Sequence, residues 1–176
     1  MLLSCSWRYW RTYDDGSQSA SDFQEARAAF LGSVLHNALE HFYNEELSSK
    51  GDLLRMYDEE VERSPLPAND YTEGREMLEE WHKRVFIPYQ DQDRTTIGSE
   101  VQFGYSQRFD SGEKMVIGGV PIHGFIDRVD EVVEDGKRIL EVVDYKSNRA
   151  PKSRAELEDL SNAEVNIYLI AARKMF

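Results

Sequence analysis

The sequence predicts an α/β domain in which a central mixed β-sheet, with an antiparallel meander at its core, is flanked by helices. Three observations predict it. Apolar residues recur at helical spacing through the first half of the chain. From Ile97 onward the pattern changes to β-branched runs punctuated by glycine. Helical spacing returns at the end, giving helices, then a meander, then a closing helix.

The elements follow in order. Residues 22–48 are expected to form a long amphipathic helix, with an apolar stripe of Leu31, Leu35, Ala38, Leu39 and Phe42 and acidic residues early in the span. A second helix is expected from Leu53 to Arg63, broken by the segment SPLPAND. A third runs from about Thr72 to Phe86 and should stop before Pro88, which has no N–H to continue it. Strands are expected at Ile97 to Phe109, Lys114 to Val120, Ile122 to Val133 and Lys137 to Tyr145. A last helix covers Ala155 to the end. The chain reads as one domain, 1–176, and its abrupt ends read as those of a fragment of a longer protein.

A composition of 40% hydrophobic and 31% charged residues is that of a globular chain and excludes a disordered one. No apolar run is long enough for a membrane helix, and the start lacks the basic and apolar regions of a secretory signal. The single cysteine, Cys5, permits no internal disulfide, which suits a reducing, cytoplasmic setting. The net charge of -12 opposes tight autonomous binding to nucleic acid. A carboxylate-built metal site nevertheless requires local negative charge, and a domain of a larger machine can borrow its affinity.

The most informative stretch is GFIDRVDEVVEDGKRILEVVDYKSN, residues 124–148. Asp135-Gly136 between two β-branched runs signals a two-residue hairpin turn. Glu134 then lies opposite Lys137, Val132 opposite Ile139, Val129 opposite Val142 and Asp127 opposite Asp144. Opposed residues share a sheet face, and the period of two adds Lys146 to it. Two facing carboxylates are destabilising unless something compensates, and a hard divalent cation such as Mg2+ compensates best. The plainer alternative is a solvated hairpin, and Asp130 opposite Glu141 on the other face is expected to be such a solvated pair. Leu140 and Val142, on the Asp144 face, suggest that this face is covered by helices.

These residues carry a resemblance. Gly32, His36, Leu39 and Glu40 fit G-x-x-x-H-x-x-L-E, Gly124 to Asp130 read G-F-I-D-R-V-D, and Asp144 to Ser147 read D-Y-K-S. Together, in this order, they resemble the RecB-like (AddB/RecB-type) branch of the PD-(D/E)XK nucleases, and a Q-x-x-x-Y element falls on Glu164 to Tyr168. The resemblance implies a restriction-endonuclease-like fold and a Mg2+- or Mn2+-dependent deoxyribonuclease. It implies an exonuclease domain of a helicase–nuclease or DNA repair protein, with DNA and a helicase domain or subunit as partners and no membrane. It implies His36, Asp127, Asp144 and the Tyr145 carbonyl as metal ligands. Lys146 would act on the scissile phosphate, and Tyr168, Glu164 and Arg128 would support the site and touch DNA. Glutamine is usual where Glu164 stands, and a carboxylate there would repel phosphate. Cys5-Ser6-Trp7-Arg8-Tyr9 is similar to an N-terminal motif whose cysteine, in some relatives, joins three C-terminal cysteines around an iron–sulfur cluster. Those three would lie beyond Phe176.

Alternatives stand beside these assignments. His36 would otherwise be a core histidine beside Leu35, Leu39 and Phe42. Glu100 is either a further acidic group near the metal or an exposed strand carboxylate. His41, His82 and His123 read as structural or surface residues. Trp7, Tyr9, Trp10 and Tyr13 either stack on bases or pack in the core. Two other functions stay open: a catalytically silent DNA-end-binding or scaffolding module, and an unrelated metal-binding phosphohydrolase acting on small substrates.

Overall fold

A computed structural model of the chain describes residues 20–90, 93–105, 114–146 and 163–176, leaving aside the side chains of 20–25 and 163–165. Three helices come first: α1 (Ala20–Asn44), α2 (Lys50–Arg63) and α3 (Ala68–Trp81). The expected α1 stripe is its core face, and Leu31, Leu35, Ala38, Leu39 and Phe42 are all buried. They meet Leu53, Leu54, Met56 and Tyr57 of α2 and Leu78 of α3 in one apolar cluster. Burying each large side chain of this kind stabilises the fold by about 1.5–3 kcal/mol.

α1 ends four residues earlier than its apolar pattern suggests. Glu46 takes a left-handed φ of 53°, and the N–H groups of Glu46 and Leu47 bond back to the Tyr43 and Phe42 carbonyls. This is a Schellman stop, with Leu47 tucked against the core, made without the usual glycine. α2 begins earlier than expected because the Ser49 hydroxyl accepts from the Asp52 N–H at 3.0 Å.

Pro88 does not stop the third helix. A π-helical turn, His82–Phe86, follows α3 and leads into a short α4 (Ile87–Gln90) that contains the proline. The Ile87 N–H reaches back five residues to the His82 carbonyl, and this wider turn leaves room for the ring. Pro88 also falls in the first turn of α4, where its missing N–H costs little.

The sheet follows. β1 (Arg94–Phe103), β4 (Gly124–Glu134) and β5 (Lys137–Val143) form an antiparallel sheet in the order β1-β4-β5. Between them lies a separate hairpin, β2 (Met115–Ile117) and β3 (Val120–Ile122). The sequence suggested one strand from Lys114 to Val120. Gly118 and Gly119, both at positive φ, fold that stretch into a two-residue turn instead. The β4–β5 turn is the expected Asp135-Gly136, both residues being left-handed at φ 50° and 73°. Its register runs from Glu134 opposite Lys137 to Arg128 opposite Val143.

A last helix, α5 (Ala163–Met175), covers the sheet. Its Ile167, Tyr168, Ala171 and Ala172 pack with Ile126, Val129, Leu140 and Val142, so the expected cover on that face is present. No helix among the described residues is long and apolar enough to cross a membrane. Cys5, the aromatic segment from Trp7 to Tyr13, Ser147, the strand residues beyond Tyr105 and the helix start near Ala155 lie outside the described residues.

Candidate metal centre

Asp127 sits on the central strand, and its neighbours on both sides bring charge to it. On one side, Ser99 pairs with Arg128 and Val101 with Ile126, so Glu100 of β1 stands opposite Asp127. On the other, the β4–β5 ladder ends at Arg128 and Val143, and Asp144 is the next residue along. Glu100 and Asp127 therefore form a row across β1 and β4, whereas the expected pairing of Asp127 with Asp144 is not part of the ladder. β1 carries an irregularity between Thr96 and Gly98, and Glu100 itself is left-handed at φ 47°. Such a backbone costs a non-glycine residue about 1–3 kcal/mol and persists where its surroundings impose it.

His36 of α1 meets this row. Its Nδ1 lies 3.3 Å from Asp127 Oδ1 and 3.7 Å from Glu100 Oε1. Its Nε2 lies 3.2 Å from the Tyr145 carbonyl, which can only accept, so Nε2 carries a proton and Nδ1 faces the carboxylates. Hydrogen bonding to Asp127 and then to Glu100 pushes the His36 imidazole up to about 10, against its burial. Burial raises Glu40, one turn later on α1, with the Glu100 charge adding to it. The pocket is thus starved of positive charge, and a proton or a divalent cation on Nδ1 answers the same two carboxylates.

Among the described residues, His36, Glu100 and Asp127 form the His/Asp/Glu trio whose ligand atoms lie within 4.8 Å of one another. Donors held at about 2.1 Å by one small divalent ion stand roughly 3–4 Å apart, so the observed separations fit such an ion. Asp144 is not in the trio. Its Oδ2 pairs with Lys146 Nζ at 2.8 Å, with both side chains partly exposed. Tyr145, between them, turns its backbone to the site, and its N–H donates to Asp127 Oδ2 at 2.5 Å. Its carbonyl meets the imidazole at Nε2, on the side of the ring away from the carboxylates.

The other expected residues fall elsewhere. Tyr168 packs edge-on against Phe103 at 6.0 Å in the core between sheet and α5. The Glu164 side chain lies outside the described part of α5. Arg128 is buried, with its guanidinium 4.5 Å above the Tyr43 ring and 3.0 Å from the Tyr145 hydroxyl. His41 lies 3.4 Å from Glu60, and His82 bonds to the Ser48 carbonyl.

Asp130 overturns its expectation. It pairs with Glu141 in register, but it is fully buried instead of solvated. Arg94 at 2.7 Å, the Thr96 hydroxyl at 2.9 Å and Arg128 at 3.1 Å surround it, and Arg94 also holds Glu141. Strand alternation places Arg128 beside Asp130, but only the tertiary arrival of β1 and α1 makes that face an interior. Tyr43, one of the rings that cover it, had no motif to mark it. Glu100 was visible as an acid near a strand start, whereas the backbone irregularity beside it had no sequence signature.

The comparison with known families fixes the class. The chain matches the PD-(D/E)XK nuclease superfamily over residues 1–176, its full length, and it belongs to that superfamily. Nucleases of this superfamily use divalent metals, which agrees with the donor set of His36, Glu100 and Asp127. Among curated proteins and solved structures there is no match.

Proposed function

We propose that this chain is a RecB-like deoxyribonuclease domain that uses Mg2+ or Mn2+ to hydrolyse phosphodiester bonds, as the exonuclease part of a helicase–nuclease or DNA repair protein. The observation that carries the reading is the meeting of His36, Glu100 and Asp127 beside Asp144 and Lys146. His36 Nδ1 and Asp127 hold the ion, Asp144 completes the set from the end of β5, and Glu100 joins them as a ligand. A bound divalent ion supplies a water of lowered pKa and neutralises charge developing on the phosphate.

Lys146 supplies a fixed positive charge two residues from Asp144, and as an ammonium it cannot itself ligate a metal. Asp144 pairs with that ammonium at 2.8 Å, and a phosphate drawn to the metal would meet the charge of Lys146. The acidic chain, at -12, leaves DNA affinity to an attached domain or subunit.

End-labelled linear single- and double-stranded DNA with Mg2+ or Mn2+ tests the reading and separates exonuclease from endonuclease products. Lys146→Ala should slow hydrolysis by roughly 10²–10³-fold, the range for losing one preorganised charge donor. Its metal affinity should stay intact or rise. Cleavage by Lys146→Ala at the wild-type rate removes this residue from the mechanism, and no cleavage by the wild type favours a silent DNA-end-binding module.

A further inference from the structure

The contacts of Tyr145 single it out as the joint of the site. One backbone residue makes two bonds into the trio: its N–H holds Asp127 Oδ2, and its carbonyl holds His36 Nε2. Strand pairing does not fix it, because the β4–β5 ladder ends two residues earlier, at Val143. Beyond those two bonds, its side chain restrains its backbone. The Tyr145 hydroxyl lies 3.0 Å from Arg128 Nη1, and its ring stands edge-on to Trp81 at 6.2 Å and to His36 at 5.7 Å.

Arg128 is itself immobilised. Its guanidinium lies over the Tyr43 ring, donates to the Tyr43 hydroxyl and faces the fully buried Asp130 at 3.1 Å. Arg94 and Thr96 fix Asp130 from β1. Arginine suits this place because it stays charged, stacks on rings and donates in a rigid fork. An arginine on the DNA surface would need exposure, and Arg128 has almost none, with a side chain 3% exposed.

We propose that Arg128 is a positioning residue for the metal centre: it grips the Tyr145 hydroxyl and thereby fixes the Tyr145 peptide, which orients Asp127 and the His36 tautomer. This deepens the metal-nuclease reading and rests on it for its consequence in metal affinity. Partners that orient metal ligands from behind typically change metal affinity by about 10–100-fold when removed.

The test uses the full chain with two measurements: amide hydrogen exchange at residue 145 in EDTA, and Mn2+ titration by calorimetry. Tyr145→Phe removes one hydroxyl and keeps the ring, and Arg128→Lys keeps the charge but loses the fork. Tyr57→Phe is the control, since it removes a buried hydroxyl that bonds the Tyr71 carbonyl in the helical core. Tyr145→Phe and Arg128→Lys should speed exchange at residue 145 about tenfold relative to Val129 and Val142, and should raise the Mn2+ Kd about tenfold or more. Tyr57→Phe should lower the Tm and move neither. Unchanged exchange and unchanged Kd in both site variants overturn the proposal. If wild type binds no Mn2+ while exchange at residue 145 still responds, the positioning stands and the metal reading falls.

Discussion

Glu100 shows what a single residue contributes and what it costs. Its left-handed backbone, beside an irregularity in β1, sets a carboxylate opposite Asp127 and within reach of His36. Nothing in packing requires an acid there, and two opposed carboxylates repel. A residue kept in a strained conformation against like charge is expected to act on a ligand. Glu100→Gln keeps size and backbone, so it should fold normally while Mn2+ affinity, read by calorimetry, falls at least about tenfold. Equal affinity in the two proteins would leave Glu100 as a neighbour of the site and not a member of it.

At the scale of elements, the β4–β5 hairpin brings the Tyr145 peptide to Asp127. Asp135 and Gly136 both adopt positive φ, and the right-handed twist of the strands selects that mirror-image turn. Gly136→Ala places a Cβ in the left-handed region and should destabilise the chain by about 1–2 kcal/mol in urea unfolding. A change close to zero would mean the turn does not set the register. This hairpin was legible because a two-residue turn leaves one register, which holds as far as Arg128 opposite Val143; the expected pairing of Asp127 with Asp144 falls beyond the end of the ladder. Pro88 does not end its helix because a π-turn precedes it, and no local signal in the sequence marks that turn. The solvated reading of Asp130 failed for the same kind of reason. Its burial comes from Arg94 and Thr96 on a strand 34 to 36 residues away in sequence.

The whole molecule couples a helical layer to a sheet, and the site lies where they meet: α1 gives His36, β1 Glu100, β4 Asp127, and the segment after β5 gives Tyr145, Asp144 and Lys146. Charge pairs hold the helical layer too. Arg27 of α1 grips the buried Asp70 of α3 through both carboxylate oxygens. The Arg27 guanidinium holds the Asp70 carboxyl below its usual range. A depressed carboxyl stabilises the fold above its unfolded pKa, near 4, and that stability is lost as pH falls through the lower folded value. Asp70→Asn should therefore lower the Tm at pH 7 and make less difference near pH 2. A pH-independent loss would assign Asp70 a packing role without the charge. The motifs for the site could be read along the chain because each is a short run of consecutive or regularly spaced residues. The Glu100 and Tyr145 contacts could not, since they arise only when three elements close on one point.

The most direct test is the rate of linear DNA cleavage as a function of Mn2+ concentration, for the full chain and for Asp127→Asn. Asp127 touches both His36 and the Tyr145 N–H, so a single atom exchange disturbs the whole centre. The account predicts saturable, EDTA-sensitive cleavage by the wild type, reduced by at least about 10²-fold in the variant. Cleavage by Asp127→Asn at the wild-type rate and the same Mn2+ midpoint would contradict it.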